Sequence, residues 1–486
     1  MVPPFHYTTP GTFSPRRVLY AIRNSPKKVF YPGCIIQPAN HVHLQGVNVN
    51  FNKICVLGLG YIGLPTAATF AAHGVQVVGV DVNPLVVETL KRGELHIHEP
   101  GLREVVEKAL QSGNLTVSSQ PEEADAFLIA VPTPFYEDKF AEYEGRRYKL
   151  ADMSAVIAAT EAILPYLRKG NLVVLESTSP PRTTLDLVRP ILERSTLKAG
   201  SDFFLCYSPE RVLPGQILRE LVENARVIGG VTPESARAGH DLYAIFVKGQ
   251  IVETDATTAE MVKLMENTYR DVNIAIANEF ARLAEKFGVD VWDAIRLANL
   301  HPRVNILNPG PGVGGHCISV DPWFFVETAP ELTPLIYNAR RVNDEQPHFV
   351  VKRVQEALGG LNGKRIAALG LAYKPDVDDL RESPAVEVVH LLQQEGAQVQ
   401  AWEPFKPHAQ LKGIAMSPNL EDALKDADAL LLLVRHTEFT RLNPAAIAAK
   451  TAARIAIDTV NGWNREAWQK AGFQFHRLGD KKSKIE

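Results

Sequence analysis

The segment KICVLGLGYIG, residues 53–63, constrains the fold most, because an apolar run passes at once into glycines spaced G-x-G-x-x-G. The run predicts a buried β-strand, and Gly58, Gly60 and Gly63 permit a tight turn into a helix. A second apolar run, VQVVGVD, ends in Asp81, at about the 20-residue offset that a dinucleotide-binding βαβ unit requires. The segment therefore predicts the start of a Rossmann-type fold.

The same residues predict NAD as the cofactor. Backbone N–H groups of the glycine turn can meet a pyrophosphate at the helix N-terminus, and Asp81 can accept hydrogen bonds from the adenosine ribose. A carboxylate there repels a 2′-phosphate, which favours NAD over NADP. Thr133, in the motif VPTP at the end of a later strand, is a further candidate contact. The alternative is a glycine-rich turn that binds no ligand.

Strands alternate with helices through the first half of the chain, which predicts a parallel sheet covered on both faces. The segments KRIAALGLAY and GAQVQAWEP later repeat this pattern without the full glycine motif. The predicted fold class is α/β, with two doubly wound Rossmann-type domains joined by a long central helix and a helical dimerisation domain. The predicted parts are an extension at 1–50, an NAD-binding domain at 51–232, a central domain carrying the cysteine loop at 233–345, a second Rossmann-type domain for a phosphate-bearing ligand at 346–478 and a solvated tail at 479–486.

Residues 255–288 contain no proline and no internal glycine, and their apolar residues recur every three or four positions. This spacing predicts one long helix, which Thr257, Thr258 and Glu260 suit at its start and Gly288 at its end. Its wide apolar face can serve a second subunit, so we expect a homodimer or a higher homo-oligomer.

Composition excludes several classes of function. A net charge of −3 gives no reason to expect nucleic acid, and no apolar run reaches the roughly 18 residues that cross a membrane. Four cysteines without a CxxC pair favour a reducing, cytoplasmic setting and predict no metal site. Residues 1–50 hold seven prolines and no Asp or Glu, which is typical of a disordered extension and leaves a transit peptide as the alternative.

The segment GPGVGGHCISVDPWF places Cys317 behind four glycines, so the backbone can bring the thiol to a ligand. In an NAD enzyme a thiolate can add to an aldehyde, giving a thiohemiacetal, then a thioester, and finally an acid after hydrolysis. Such a site needs a cation or amide near the oxyanion and a carboxylate to handle protons. Lys263 and Asn267, one helical turn apart, can supply the first, and Glu210 or Asp321 the second.

Each of these residues has a purely structural alternative. Lys263 and Asn267 can be solvated helix residues, Glu210 can be a surface carboxylate paired with Arg211, and Asp321 can be a cap or turn residue before a proline. His316 adjoins the thiol, but sequence neighbours often point apart, so we assign it no base role.

The motifs GLGYIGLP, VPTP, EST, SPER, GPGVGGHCISVDPWF and LAYKPDVDDLRESPA follow in this order between Asn52 and Phe475. In these six motifs and in their order, the sequence resembles the UDP-glucose/GDP-mannose dehydrogenase family. The resemblance implies NAD-dependent oxidation of the C6 hydroxyl of a UDP-sugar to a carboxylate. It also implies that the domain at 346–478 binds UDP. His301, Arg303 and Trp323 differ from the UDP-glucose-oxidising members and imply UDP-N-acetyl-D-mannosamine as the substrate. UDP-N-acetylglucosamine, UDP-glucose and a non-catalytic sensor of NAD or UDP-sugar stay open. Residues 1–50 and the long insert 136–150 depart from the family pattern.

The resemblance also implies individual roles. Cys317 would be the nucleophile, Lys263 a proton donor and acceptor, and Glu210, Asn267 and Asp321 aids to thioester formation and hydrolysis. The implied NAD contacts are Gly58, Gly60, Tyr61, Ile62, Gly63, Asp81, Thr133, Thr178 and Arg381. The implied sugar-nucleotide contacts are Arg211, Val212, Lys263, Asn267, Arg270, His301, Arg303, Gly315, Tyr373 and Lys374, with the loop around Arg303 reaching a partner subunit's site.

Overall fold

A computed structural model of the chain describes residues 51–315 and 317–480. The expectations for residues 1–50, for His316 and for residues 481–486 lie outside the described residues. Gly479, which the sequence assigns to a solvated tail, is buried and donates its backbone N–H to Glu285 at 3.0 Å. The tail prediction is therefore wrong for the first tail residues, because the chain there docks onto the central helices.

The first part of the chain forms an eight-stranded sheet in the order β10-β9-β8-β7-β4-β1-β2-β3. Apolar clusters cover both of its faces, as a doubly wound sheet requires. The strands of this part, with the hairpin β5 and β6, are β1 Lys53–Leu57, β2 Gln76–Val80, β3 Leu115–Ser118, β4 Ala126–Ile129, β5 Phe135–Tyr143, β6 Arg146–Ala151, β7 Leu172–Leu175, β8 Phe204–Tyr207, β9 Arg226–Gly230 and β10 Ile251–Asp255.

The expectation of a wholly parallel sheet is wrong at one edge. Strand β9 pairs with β8 antiparallel, while β10 pairs with β9 parallel. The reason is that the chain leaves β8, stays at the carboxyl edge through a short helix and enters β9 from that same edge. The helices of this part are α1 Gly63–Ala72, α2 Pro84–Lys91, α3 Leu102–Gln111, α4 Ser154–Ile163, α5 Arg189–Leu192, α6 Ile217–Glu223 and α7 Pro233–Tyr243.

The insert 136–150 folds into the hairpin of β5 and β6. Glu144 and Gly145 form its turn with φ of 48° and 75°, a left-handed pair typical of a type I′ turn. Tyr148 is buried there in a cluster with Trp323, Val326 and Tyr337.

The central part is built on α8 (Ala256–Phe287), as the apolar spacing predicts. The N-cap is Asp255, whose carboxylate accepts the N–H of Thr258, rather than the two threonines. Gly288 ends the helix in the left-handed conformation. The other helices of this part are α9 Val291–Ala298, α10 Asp321–Thr328, α11 Pro334–Asp344 and α12 Gln346–Leu358.

The C-terminal part is a second sheet of six parallel strands in the order β13-β12-β11-β14-β15-β16, with apolar clusters on both faces. Its strands are β11 Arg365–Leu369, β12 Gln398–Trp402, β13 Ala415–Met416, β14 Ala429–Leu432, β15 Ile455–Asp458 and β16 Gln474–Arg477. Its helices are α13 Pro384–Gln394, α14 Leu420–Leu424, α15 Thr437–Thr440, α16 Pro444–Lys450 and α17 Arg465–Lys470. Among the described helices, none is long and apolar enough to span a bilayer.

Candidate active site

A cleft of about 750 Å³ opens at the carboxyl ends of β4, β7 and β8. Residues directly after these strands form one wall, and the cysteine loop and the residues before α13 form the other. Open α/β sheets bind ligands at this edge. Cys317, Lys263, Glu210 and Asp321 all line this one cleft.

The cysteine loop is held at both ends. At its start, Gly310 donates its N–H to Asn278 and accepts a hydrogen bond from the Gln346 amide, at 3.0 and 3.1 Å. Near the thiol, Gly315 has φ of +86°, and a Cβ there would lie 2.8 Å from the ring of Tyr373. Glycine is therefore required for the loop to pack this closely on the C-terminal part.

The Cys317 side chain is exposed to the cleft, and the other cleft residues surround it. Burial raises the pKa of the Cys317 thiol above its usual value, and the positive charges of Lys263 and Arg381 oppose this rise. Two effects therefore oppose each other at the thiol: desolvation disfavours the thiolate, and the two cations favour it.

Lys263, Asn267 and Asp321 form a buried polar group beside the thiol. The lysine is 7% exposed and the amide 8%, so neither is a solvated helix residue. Asn267 Nδ2 donates to Asp321 Oδ2 at 2.6 Å. Burial raises the pKa of Asp321 to about 6, while Lys263 and Asn267 act in the opposite direction.

Glu210 does not form the surface pair with Arg211 that the sequence leaves open. Its carboxylate accepts a hydrogen bond from Arg226 at 2.6 Å and only the backbone N–H of Arg211 at 2.7 Å. The Arg211 guanidinium instead bonds Glu266 at 2.7 Å and the carbonyl of Ala225.

The glycine turn fits NAD. A Cβ on Gly63 would lie 1.8 Å from the Gly58 carbonyl oxygen, whereas one on Gly60 would meet nothing within 4 Å. The absence of a side chain at Gly63 lets α1 begin close against the strand, and the absence of one at Gly60 leaves open space for a phosphate. Helix α1 has neither a side-chain cap nor an acidic residue in its first turn, so its N-terminal N–H groups are suited to an anion.

Asp81 directly follows β2 and accepts the N–H of Leu59 at 3.0 Å and of Asn83 at 2.9 Å. An ionised carboxylate has about four acceptor positions, so two can still take ribose hydroxyls. Thr133 donates to the carbonyl of Thr178 at 2.7 Å, which joins two of the residues assigned to NAD at the cleft wall.

The loop before α13 brings Leu380 and Glu382 to the cleft, whereas Tyr373, Lys374 and Arg381 are not among its lining residues. The Arg381 guanidinium lies 4.9 Å from the centre of the Tyr61 ring and donates two hydrogen bonds to Asp379. Lys374 donates to the carbonyl of Pro214 at 3.4 Å, and burial together with the charge of Arg270 lowers its pKa.

Ile62 and Val212 also line the cleft, whereas His301 and Arg303 are exposed on the loop after α9 and do not. Within one chain these two residues are therefore not brought to the site.

The sequence reading missed two buried charges in this region. Glu176 follows β7 in the motif EST and lines the cleft, and Arg226 begins β9 and bonds Glu210. The available signals were the glutamate of EST, to which the sequence analysis assigns no role, and a lone arginine at the start of the apolar run RVIGG. The hairpin residues Tyr136, Glu137 and Lys149 also line the cleft, although their sequence indicated only a charged insert.

Comparison with known proteins identifies the family. Its NAD binding domain matches residues 52–247, its central domain 257–345 and its UDP binding domain 367–465. The chain belongs to the UDP-glucose/GDP-mannose dehydrogenase family. It is accordingly an NAD-dependent oxidoreductase of sugar nucleotides.

Named relatives of this dehydrogenase family are similar over most of the chain. The UDP-N-acetyl-D-mannosamine dehydrogenase of Methanococcus maripaludis is 47% identical over 89% of this chain and 98% of its own length. An NDP-N-acetyl-D-galactosaminuronic acid dehydrogenase of Ralstonia solanacearum is 47% identical, over 86% and 98%. The solved structure of the UDP-D-ManNAc dehydrogenase of Pyrococcus horikoshii is 40% identical with a TM-score of 0.80, over 89% of this chain and 100% of that one.

Proposed function

We propose that the protein oxidises the C6 hydroxyl of UDP-N-acetyl-D-mannosamine to the carboxylate of UDP-N-acetyl-D-mannosaminuronate. The observation that carries the proposal is the common cleft of Cys317, Lys263, Asp321 and Glu210 beside the glycine turn. The relatives named for UDP-N-acetyl-D-mannosamine support this choice of sugar.

In the first oxidation, the hydroxyl proton passes to the Asp321 carboxylate, and the Lys263 charge stabilises the alkoxide oxygen. When bound, NAD would supply the hydride acceptor for both oxidations. The residues that would hold it are those of the glycine turn, Asp81, Thr133 and Thr178.

Cys317 then adds to the aldehyde. The sulfur bonds to C6 as the carbonyl π bond opens, and the thiol proton passes by way of Lys263 to the new oxygen. The thiohemiacetal then loses its hydroxyl proton to the Asp321 carboxylate, which has released the earlier proton to solvent, and loses hydride from C6 to become the thioester. Water next attacks the thioester, Glu210 accepts a proton from it, and the C–S bond breaks to release the acid and the thiolate. Because the sulfur must remain a thiol between turnovers, we expect a reducing compartment.

The test counts NADH per sugar consumed, with the N-acetylmannosamine, N-acetylglucosamine, N-acetylgalactosamine and glucose forms of the UDP-sugar. The proposal expects two NADH, with UDP-N-acetyl-D-mannosamine turned over fastest. Turnover with UDP-glucose alone would reject the sugar, and absence of NADH would indicate a sensor. Cys317→Ser is expected to abolish acid formation, since it removes the thioester; full activity in this variant would reject the covalent mechanism.

We also propose that α8 forms a homodimer interface. Its apolar face stays exposed in the single chain, with Met265 at 56%, Tyr269 at 67% and Phe287 at 71%. Exposed apolar residues in one stripe typically mark a protein interface. Sedimentation should therefore show a dimer or larger species, and a monomer at micromolar concentration would contradict this.

A further inference from the structure

A buried arginine lies directly behind the proposed base. The Arg226 side chain is 4% exposed and the Glu210 side chain 8%. Arg226 donates to Glu210 Oε2 at 2.6 Å and to Ser208 Oγ at 2.9 Å. One guanidinium thus fixes the carboxylate and the strand end that carries it.

The antiparallel strand explains how this arginine reaches the cleft. Cys206 pairs with Gly230 and Tyr207 with Gly229. Continuing this register past the paired residues places Arg226 opposite Glu210. In a parallel arrangement, the first residue of β9 would lie at the opposite edge of the sheet, away from the cleft.

A second carboxylate faces the same guanidinium. Glu176 Oε1 lies 3.6 Å from Arg226 and accepts a hydrogen bond from the Tyr243 hydroxyl at 2.5 Å. The Tyr243 ring lies 4.2 Å from the guanidinium carbon. Glu176 Oε2 is buried without a hydrogen-bond partner in the described part of the chain. One cation therefore serves two carboxylates that occupy the same cleft wall.

The protonation of Glu176 decides how the cation is shared. Burial raises the pKa of Glu176 to about 7, with Arg226 opposing the rise and Glu210 adding to it. When Glu176 is protonated, the cluster is neutral and the guanidinium interacts mainly with Glu210. When Glu176 ionises, two anions compete for one cation.

We propose that Arg226 is a positioning residue that holds the Glu210 carboxylate aimed at the thioester, and that Glu176 tunes this by competing for the same guanidinium. In the hydrolysis step the water oxygen bonds to the thioester carbon, Glu210 takes a water proton, and sulfur leaves as the thiolate. Arg226 and Glu176 form and break no covalent bond in it. The inference rests on the role proposed above for Glu210.

The first test compares Arg226→Lys and Arg226→Met with the wild type. A general base contributes about 100-fold or more to a rate, so Arg226→Met should lower kcat by about 100-fold, with KM for the UDP-sugar and NAD little changed. Intact-protein mass spectrometry after turnover should show an acyl adduct on Cys317. Arg226→Lys keeps the charge and should recover part of the loss.

A double variant separates positioning from a general structural effect. If Arg226 acts through Glu210, then Arg226→Met/Glu210→Gln should be no slower than Glu210→Gln alone. Multiplied losses would overturn the inference. If Arg226→Met does not fold, as a melting curve would show, Arg226→Lys and Glu176→Gln carry the test.

The pH dependence of the hydrolysis rate is a readout that a purely structural role of Glu176 would not change. Hydrolysis should slow as pH rises through about 7, and Glu176→Gln should remove this decline. The charged and titratable groups around Glu176 are Arg226, Glu210, Cys206, Tyr207 and Tyr243. An unchanged profile in Glu176→Gln would overturn the tuning by Glu176.

The two proposals can fail separately. If Glu210→Gln accumulates no acyl adduct, the function proposed for Glu210 is wrong. If Glu210→Gln accumulates the adduct and neither Arg226 variant does, only the positioning role is wrong.

Discussion

The two Rossmann-type parts begin with the same backbone arrangement. Gly58 has φ of +93° and donates to Val80 at the end of β2, and Gly370 has φ of +89° and donates to Trp402 at the end of β12. In each part the residue directly after the second strand is acidic (Asp81 and Glu403), and its carboxylate accepts the N–H of the residue after the glycine.

Beyond this point the two parts differ. Glu403 is fully buried and accepts hydrogen bonds from the backbone of Leu371, Ala372 and Phe405 and from His436. Asp81 accepts two backbone N–H groups and stays partly exposed. Helix α1 begins within the first glycine turn, whereas α13 begins only at Pro384.

The comparison shows that one supersecondary unit can serve two purposes. In the first part, the turn leaves backbone N–H groups and a carboxylate available for a ligand. In the second part, the carboxylate holds the turn, and the longer loop carries Leu380 and Glu382 to the cleft. The same loop places Tyr373 against Gly315 and Arg381 beside Tyr61. The strand and the carboxylate are common to both parts. Gly60 and Gly63, which have no counterparts after Gly370, decide whether the turn can hold a ligand.

The largest effect that this comparison predicts is at Gly63. Gly63→Ala places a Cβ 1.8 Å from the Gly58 carbonyl oxygen, so α1 must move from its strand. We expect NAD affinity to fall about 100-fold, equivalent to about 2.7 kcal/mol, together with a lower melting temperature.

Gly60→Ala is the matched control for the Gly63 variant. Its Cβ meets no protein atom within 4 Å, so stability should be kept while NAD binding weakens. Calorimetric titration with NAD and thermal melting measure both quantities. Equal melting temperatures for Gly63→Ala and wild type would contradict the steric role of Gly63.

A smaller effect should separate the two carboxylates. Glu403→Gln leaves buried donors facing an amide and should lower the free energy of unfolding by about 3 kcal/mol, with NAD affinity unchanged. Asp81→Asn should change stability by less than about 1 kcal/mol and weaken NAD about tenfold, while NADP is better tolerated. Denaturant unfolding and cofactor titration distinguish these outcomes. Weaker NAD binding in Glu403→Gln would show that the two parts are not functionally separate.

The smallest effect concerns Asp321, which lies in neither Rossmann-type part. Its pKa of about 6 means that it gains a proton as pH falls through that value, so kcat should decline several-fold below about pH 6. Because its ordinary pKa is 3.8, the unfolded chain releases this proton first, and the group lowers the free energy of unfolding as pH rises from 3.8 to about 6. Asp321→Asn should remove both dependences, as kcat and unfolding series across pH will show. An acid decline that persists in this variant would assign it to another group.

Much of the site could be predicted from the sequence because its chemistry depends on local motifs. The glycine turn, Asp81 and the cysteine loop lie in short contiguous segments, and the residue types in each segment indicate its backbone conformation. The turn of the hairpin was missed because Glu-Gly is a weaker signal than Asn-Gly, although both of its residues adopt positive φ.

The sequence by itself determined the alternation of strands and helices, the long helix and the family, because hydrophobic period and glycine spacing are local properties. Only the tertiary structure decided that β9 runs antiparallel, that the apolar stripe of α8 stays exposed in one chain, and that Arg226 rather than Arg211 pairs with Glu210. These outcomes depend on contacts between residues distant in the chain, where burial and the pairing of charges decide among arrangements that local patterns allow equally.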